Sequence, residues 1–360
     1  MSDYRRFQKK VNKRKRRRRL FFIFFLPILI LGLSATAYGS YLFAKAKSVV
    51  NSSFEEVGNR DTSPMREEEI DPKKDNISVL FIGIDESDMR KEKYGYNGSN
   101  TRTDSLILAT LNEKNKSVKL VSIPRDSRVE IACTGEKSKI NSAHVKGGTL
   151  CTIETVEKLF DVPVDYYVKV NFNAFIEVVD SLGGIEFDVP YDLKEKDSKD
   201  RHNAIVLKKG RQTLNGEEAL AVARTRKYDN DIERGKRQQQ LIQAIVKEAA
   251  SIGSITKYGS IIEAIGDNMK TNMKFGEMLS FYDYATHGSN VKVESIPLKG
   301  EDYQPGSVYY YKLDEESVEE ASELMKAQLE LPGSKPLKEL EAEMKAEQSG
   351  GSNTDSSTEE

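Results

Sequence analysis

Tryptophan is absent from the 360 residues, cysteine occurs twice and histidine three times. Three scattered histidines without a Cys-x-x-Cys pair argue against a zinc site. The two cysteines, Cys133 and Cys151, permit a single bridge. It would close a loop of about 19 residues and stabilise by roughly 3 kcal/mol, provided the compartment is oxidising. Two separate buried thiols are the other reading. No internal repeat is found. Charge is missing from one whole stretch, Leu20 to Ala44. As a helix its 25 residues reach about 37 Å, enough for a bilayer core of about 30 Å. Pro27 kinks such a helix without forbidding it. A cleaved signal peptide is the alternative, but its apolar region usually runs only about 7–15 residues, and Ala35-Thr36-Ala37 is a weak cleavage site.

The formal net charge of −2 conceals an asymmetry. Residues 1–19 hold 11 Lys or Arg against one acid, Asp3, which leaves the remainder near −12. With this basic arm before the span, the positive-inside rule puts the N-terminus in the cytoplasm and everything after about residue 45 outside. The arm then sets orientation and touches anionic lipid. No nucleic-acid partner is expected, because the folded part is on the other side.

The organisation follows from composition: a cytoplasmic basic arm (1–19), a transmembrane helix (20–44), an extracellular stalk (45–75), a folded domain (76–331) and a disordered polar tail (332–360). Within the tail, Leu337 to Ala346 can form a transient helix. In the domain, short apolar runs bounded by polar turns predict strands at Ile77–Ile84, Ser105–Leu111, Val118–Ile123, Tyr166–Val170, Ile185–Val189 and Val291–Ile296. Helices are predicted at Thr149–Phe160, Phe172–Leu182, Asn215–Ala223, Ile232–Ala250, Ile255–Met269, Phe275–Thr286 and Asp314–Leu329. The expected class is α/β, a mixed central sheet flanked by helices on both faces and preceded by one transmembrane helix.

Strand order brings chemistry together. Asp85 closes the first strand, Asp104 opens the second and Arg125 follows the third. If the three strands are hairpin-linked, all three residues lie at one end of the sheet. Asp85 and Asp104 can share a hard cation such as Mg²⁺, or each can cap a turn; Glu86, Asp88 and Asp126 compete for the same role. Arg125 either pairs with Asp126 or points into the site.

The segment from Arg224 to Gln240 is rich in cations within an otherwise acidic domain. Arg224, Arg226, Arg234, Lys236 and Arg237 surround a predicted helix start, where the dipole disfavours positive charge unless an anion faces it. Arginine suits phosphate because its fork binds bidentately. The bland reading is neutralisation by Asp229, Asp231 and Glu233. Arg234, Arg237 and Gln238 fall on one helical face, continued by Leu241, Ile242, Ile245, Val246 and Ala249. A solvated charge run would face the other way. Arg224 and Arg226 reach the same place only if the chain between them is not helical. Phe172, Phe175, Ile176, Val179 and Leu182 form a helical stripe near Leu214, Ala219, Leu220 and Val222; core packing and a lipid-accepting groove both fit.

Seven segments in order carry a resemblance: Val79 to Asp85, Thr101 to Ser105, Ser122 to Asp126, Lys139 to Ala143, Val179 to Ile185, Leu214 to Leu220 and the Arg-rich block. The chain resembles the LytR–CpsA–Psr family, closely over Asn76 to Ala250. The resemblance implies a membrane-anchored, magnesium-dependent phosphotransferase of Gram-positive cell walls. Such an enzyme moves a teichoic acid or capsular polysaccharide from undecaprenyl pyrophosphate to peptidoglycan, as a phosphodiester at the C6 hydroxyl of N-acetylmuramic acid. By motif, Asp85 and Asp104 match the metal-binding acids. Arg125, Arg224, Arg226, Arg234 and Gln238 match the pyrophosphate-binding set, with Arg237 as an addition. Of these, Asp104, Arg125, Arg224 and Arg226 are expected to be catalytic, and the prenyl chain would take the apolar groove. The Glu86–Thr103 segment is longer than is common and reads as a flap over the site. Two other readings stand: a hydrolase using water as acceptor, and a wall-binding or regulatory module without catalysis.

Overall fold

A computed structural model describes residues 34, 36–58, 60, 62–84, 101–228, 231–251, 266, 268–280 and 292–350. The chain forms two compact units, residues 1–48 and 49–360. The first is helical over 36–48. Most of the expected transmembrane segment lies outside the described residues, and no described helix is long and apolar enough to cross a membrane.

The second unit is organised by two-residue alternation. In β1 (Ile77–Ile84) the side chains of Leu80, Ile82 and Ile84 enter one core, while Ile77 and Val79 enter another on the opposite face. β2 (Thr103–Asn112) repeats this, with Leu106 and Leu108 on the first face and Ile107, Ala109 and Leu111 on the second. A strand covered on both sides reads as a continuous apolar run, which is why these strands were visible in the sequence. β1 pairs antiparallel with β2, and β2 with β3 (Ser117–Ser122).

The remaining elements follow in chain order. β4 (Arg128–Glu130) and β5 (Lys137–Lys139) form a hairpin before α1 (Ala143–Phe160). β6 (Tyr166–Asn171) leads into α2 (Phe172–Leu182) and β7 (Ile185–Val189). β8 (Leu193–Glu195), β9 (Ile205–Leu207) and β10 (Gly210–Leu214) precede α3 (Gly216–Arg224) and α4 (Asp231–Ser251). β11 (Met269–Thr271), α5 (Phe275–Ser280), β12 (Lys292–Ile296), β13 (Gly300–Tyr303), β14 (Tyr310–Leu313), α6 (Glu315–Gln328) and α7 (Leu337–Gly350) complete the described chain.

The central sheet has the order β11-β6-β1-β2-β3-β12. β6 runs parallel to β1 and β12 parallel to β3; the other pairs are antiparallel, so the sheet is mixed. α1 and α6 cover one face through Ile153, Val156, Phe160, Ala321 and Met325. On the other face Ile242 of α4 and Met278 of α5 pack against the second core. A third core, built from α2, β7, β10 and α3 around Val179, Leu182, Ile185, Leu214 and Val222, carries α4 through Leu241.

Two segments expected to be loose belong to the folded unit. Described residues of the stalk from Val49 onward pack into the domain: Val57 and Ser63 are buried, and Arg60 Nη1 donates to Glu157 Oε2 at 2.8 Å. Arg66 forks onto both oxygens of Asp165, at 2.9 and 2.8 Å. Glu157 and Asp165 are buried acids that need cationic partners, and nearly a hundred residues separate each pair, so local composition gave no sign of it. The polar tail contains α7, with Leu340 buried and Glu341 accepting from Lys119 Nζ at 2.7 Å. The helix itself is expected at Leu337 to Ala346; its docking onto the domain leaves no mark in the local sequence. The expected helix at Ile255–Met269 lies almost wholly outside the described residues; of the one expected at Phe275–Thr286, α5 is the described part, and residues 281–286 lie outside the described residues.

A cationic, apolar-walled candidate active site

The hairpin arithmetic holds in space. Asp104 enters β2, Arg125 leaves β3, and the Arg125 guanidinium donates to Asp104 Oδ1. Ile84 pairs with Thr103 across a register shift, so the end of β1 is at the same edge. Asp85 and residues 86–100 of the expected flap lie outside the described residues. Arg125 meets both expectations: its tip enters the site and holds Asp104, while its Nε lies 3.8 Å from Asp126.

Behind this edge the entry to β2 is fixed by burial. His144 is buried, and its Nδ1 lies 2.8 Å from the Thr101 carbonyl oxygen. Burial pushes its pKa below the ordinary imidazole range, with Lys169 acting in the same direction, so the ring is neutral and Nδ1–H donates.

The second wall comes from α3 and α4. α3 opens with a capping box, Asn215 accepting from Glu218 N while Glu218 accepts from Asn215 N. It ends at Arg224, because Thr225 is extended at φ −61° and ψ 140°. That break lets Arg224 and Arg226 reach one cleft. The carbonyl of Asp197 accepts from Arg224 at 2.7 Å, and the carbonyl of Lys196 accepts from the same nitrogen. Arg234 is buried on α4, and Gln238 Oε1 accepts from Ser105 Oγ at 2.8 Å.

Arg237 departs from expectation. It does not line the cleft. Its Nε donates to Val222 O at 3.2 Å and its Nη2 to Thr225 O at 2.7 Å, and Gln238 Nε2 reaches Ala223 O at 3.1 Å. These carbonyls end α3, where a cation is favourable. Arg237 therefore fastens the segment that presents Arg224 and Arg226. Of the acids proposed to neutralise the block, Glu233 accepts from Lys236 at 2.6 Å, and the Asp229 and Asp231 side chains are outside the described set.

Together these walls enclose a cleft of about 510 Å³. Its described lining carries five cations, Arg125, Lys196, Arg224, Arg226 and Arg234, against three acids, Asp104, Glu195 and Asp200. The excess is positive and selects an anion. The rest of the wall is apolar, including Phe81, Ile107, Val170, Phe172, Phe175 and Leu220. The α2 stripe thus divides: Phe172 and Phe175 face the cleft, whereas Val179 and Leu182 belong to the core. Continuing the stripe on α4, Leu241 and Ile242 line the cleft and Val246 faces solvent.

One buried acid ties the cations together. Asp126 Oδ1 lies 2.9 Å from Lys139 Nζ, and its Oδ2 lies 3.7 Å from Arg226 Nη1 and 3.8 Å from Arg125 Nε. In the sequence Asp126 stands as a competing metal ligand and as a possible partner of Arg125; its hold on Lys139 and Arg226 does not show there. Lys139 opens one of the family segments without a role attached, and nothing local marks Lys196 as a neighbour of the cleft.

The LytR_cpsA_psr family model matches residues 40–327. The chain belongs to the LytR–CpsA–Psr family. Among members of this family, the polyisoprenyl-teichoic acid–peptidoglycan teichoic acid transferase TagT of Bacillus subtilis is 38% identical over 316 residues, 88% of this chain and 96% of TagT. A solved structure of TagT bound to LIIa-WTA superposes with a TM-score of 0.66 at 38% identity, over 77% of this chain and 100% of that one. Another, the LytR-CPS2A-psr family protein YwtF (TagT) with bound octaprenyl pyrophosphate lipid, gives 0.62 at 35% identity, with the same shares. The mixed α/β architecture is therefore that of the family. Cys133 and Cys151 are bridged, with an S–S distance of 2.07 Å.

Proposed function

We propose that this protein transfers an anionic glycopolymer, a teichoic acid or capsular polysaccharide, from undecaprenyl pyrophosphate to peptidoglycan. The observation that carries the reading is the amphipathic cleft: a cationic mouth continuous with an apolar wall, which matches a diphosphate joined to a prenyl chain. TagT relatives bearing the transferase name, and the TagT structure with a polyprenyl pyrophosphate lipid, support it.

The acceptor, the C6 hydroxyl of N-acetylmuramic acid, attacks the polymer-proximal phosphorus. A new P–O bond forms, the bond to the bridging oxygen breaks, and polyprenyl phosphate departs. Phosphoryl transfer asks for positioning and charge neutralisation more than covalent help. Arg125, Arg224, Arg226 and Arg234 supply donors for charge growing on the departing phosphate. Asp104, at the mouth, accepts the hydroxyl proton or orients the hydroxyl. Gln238 and Ser105, bonded to each other, hold the floor between β2 and α4.

The donor set also suits Mg²⁺. Arg125 takes one oxygen of Asp104 and leaves the other, and one or two carboxylates are what Mg²⁺ takes from protein when substrate phosphates and water complete its shell. Held by Asp104 and Asp85, the ion would neutralise diphosphate charge.

We also place the domain outside a Gram-positive cell, on a single-pass type II anchor at residues 20–44. The charge asymmetry about that segment and the Cys133–Cys151 bridge support this. The test is transfer by the full chain from a synthetic lipid-pyrophosphate donor to peptidoglycan. Arg125→Ala and Arg224→Ala should each lose on the order of 100-fold in kcat. Undiminished transfer would reject the site, and free phosphorylated polymer as the sole product would make the protein a hydrolase.

A further inference from the structure

A transferase needs a place for its second substrate, and the cleft described above accommodates the first. Next to its mouth stands the β13–β14 hairpin. Tyr303 and Tyr310 are directly opposed across the two strands, and Tyr309 precedes them on the return. Tyr311 points inward and is buried, so the strand alternation turns Tyr310 outward. The rings are propped from beneath by two cations. Arg128 lies 5.5 Å from the Tyr303 centroid and 5.8 Å from that of Tyr310; Lys139 lies 5.5 Å from Tyr309 and 6.0 Å from Tyr310.

The hairpin is joined to the reaction edge. Tyr311 N donates to Asp126 O at 2.9 Å, and Ser127 bridges to Tyr311. Lys139, which carries two of the rings, is the lysine bound to the Asp126 carboxylate, whose other oxygen faces Arg125 and Arg226. Two residues, Lys139 and Asp126, thus link the aromatic platform to the arginines at the mouth. From this geometry we infer that Tyr303, Tyr309 and Tyr310 form the acceptor subsite, where a neutral glycan strand stacks its pyranose C–H faces on the rings.

Charge decides which saccharide fits. Around the rings the cations Arg128, Lys139 and Lys312 are matched in number by the acids Asp126, Glu301 and Asp302; Lys139 is paired with Asp126, and Lys312 with Glu301 at 3.2 Å. Tyr309 OH donates to Asp302 at 2.7 Å. A surface balanced in this way offers no attraction to the anionic polymer, which the cationic cleft holds. It offers aromatic faces and hydrogen-bonding rims to an uncharged N-acetylhexosamine backbone. Tyr309 remains 38% exposed and Val308 47%, so the platform is open to solvent.

This inference rests on the proposed transfer reaction, and the experiment separates the two. The full chain is assayed with lipid-pyrophosphate donor and undecorated β-1,4-linked glycan strands, and glycan binding is read independently by saturation-transfer NMR on the tyrosine rings. Tyr309→Ala and the Tyr303→Ala/Tyr309→Ala pair should raise the acceptor KM by about tenfold, with donor KM and kcat near wild type, and should remove the ring saturation signal. Tyr309→Phe should keep both. Wild-type-like acceptor KM in a folded double variant would overturn the subsite. A wild-type protein that binds glycan through these rings but transfers nothing would instead overturn the reaction and leave the subsite standing.

Discussion

Asp126 holds three cations that belong to three different parts of the chain, and its own carboxylate is almost sealed from water. Removing its charge leaves Arg125, Arg226 and Lys139 to repel one another in a partly desolvated corner. Asp126→Asn should therefore lower kcat about tenfold or more through misplacement of Arg125, while Asp126→Glu recovers part of it; steady-state kinetics with donor varied would check this. A second residue-scale prediction concerns His144. Its pKa lies below the ordinary value, so the unfolded chain binds this proton more readily than the folded one. Its stabilising contribution is whole above about pH 6.5 and is lost as pH falls from there towards the lowered folded value. Urea midpoints measured from about pH 7 to pH 5 should fall less for His144→Gln, which does not titrate, than for the wild type.

At the scale of elements, α2 and α3 meet with almost no space between them. A Cβ on Gly216 would lie 2.3 Å from Ile176 O and 2.7 Å from Ile176 Cα, and the Gly216 N–H donates to Asp180 at 2.7 Å. Gly216→Ala should cost about 1–3 kcal/mol by overpacking. Because α3 carries Arg224 at its far end, transfer should fall as well; calorimetry and activity of the same preparation test both. What was legible in the sequence follows the same physics. β1, β2, β3, β6 and α2 were found because burial on both faces or along a stripe writes itself into apolar periodicity. The small hairpins were missed: Gly300-Glu301-Asp302-Tyr303 has no apolar alternation, since one face meets water and the other a single ring. In the site, strand direction alone put Asp104 and Arg125 at one end of the sheet, and their contact came with the structure. Helical period put Arg237 beside Arg234 correctly, yet could not reveal that the carbonyls ending α3 would claim it.

For the molecule as a whole, the bridge and the two packed flanks matter most. Cys133–Cys151 ties the segment after β4 to α1, and a Cβ on Gly147 would sit 2.6 Å from Cys151 Cβ and 3.0 Å from Cys133 Sγ, so the turn is built around the bridge. Replacing both cysteines by serine should lower stability by about 3 kcal/mol, measured as a shift of the denaturation midpoint that the reduced wild type reproduces. The flanks explain why composition misjudged the domain's limits: Arg60, Arg66 and Glu341 each answer a partner that lies far away along the chain. The helix at the C-terminus has a consequence for how the protein behaves among its own copies. β12 ends the order of the sheet, and Lys119 of β3 is held both by Glu294 of β12 and by Glu341 of α7, at 2.7 Å each. α7 thus stands guard beside a strand whose outer side has no partner among the described residues. A chain cut before residue 337 should lose colloidal stability, self-associating through that strand at concentrations where the longer chain stays monodisperse in light scattering.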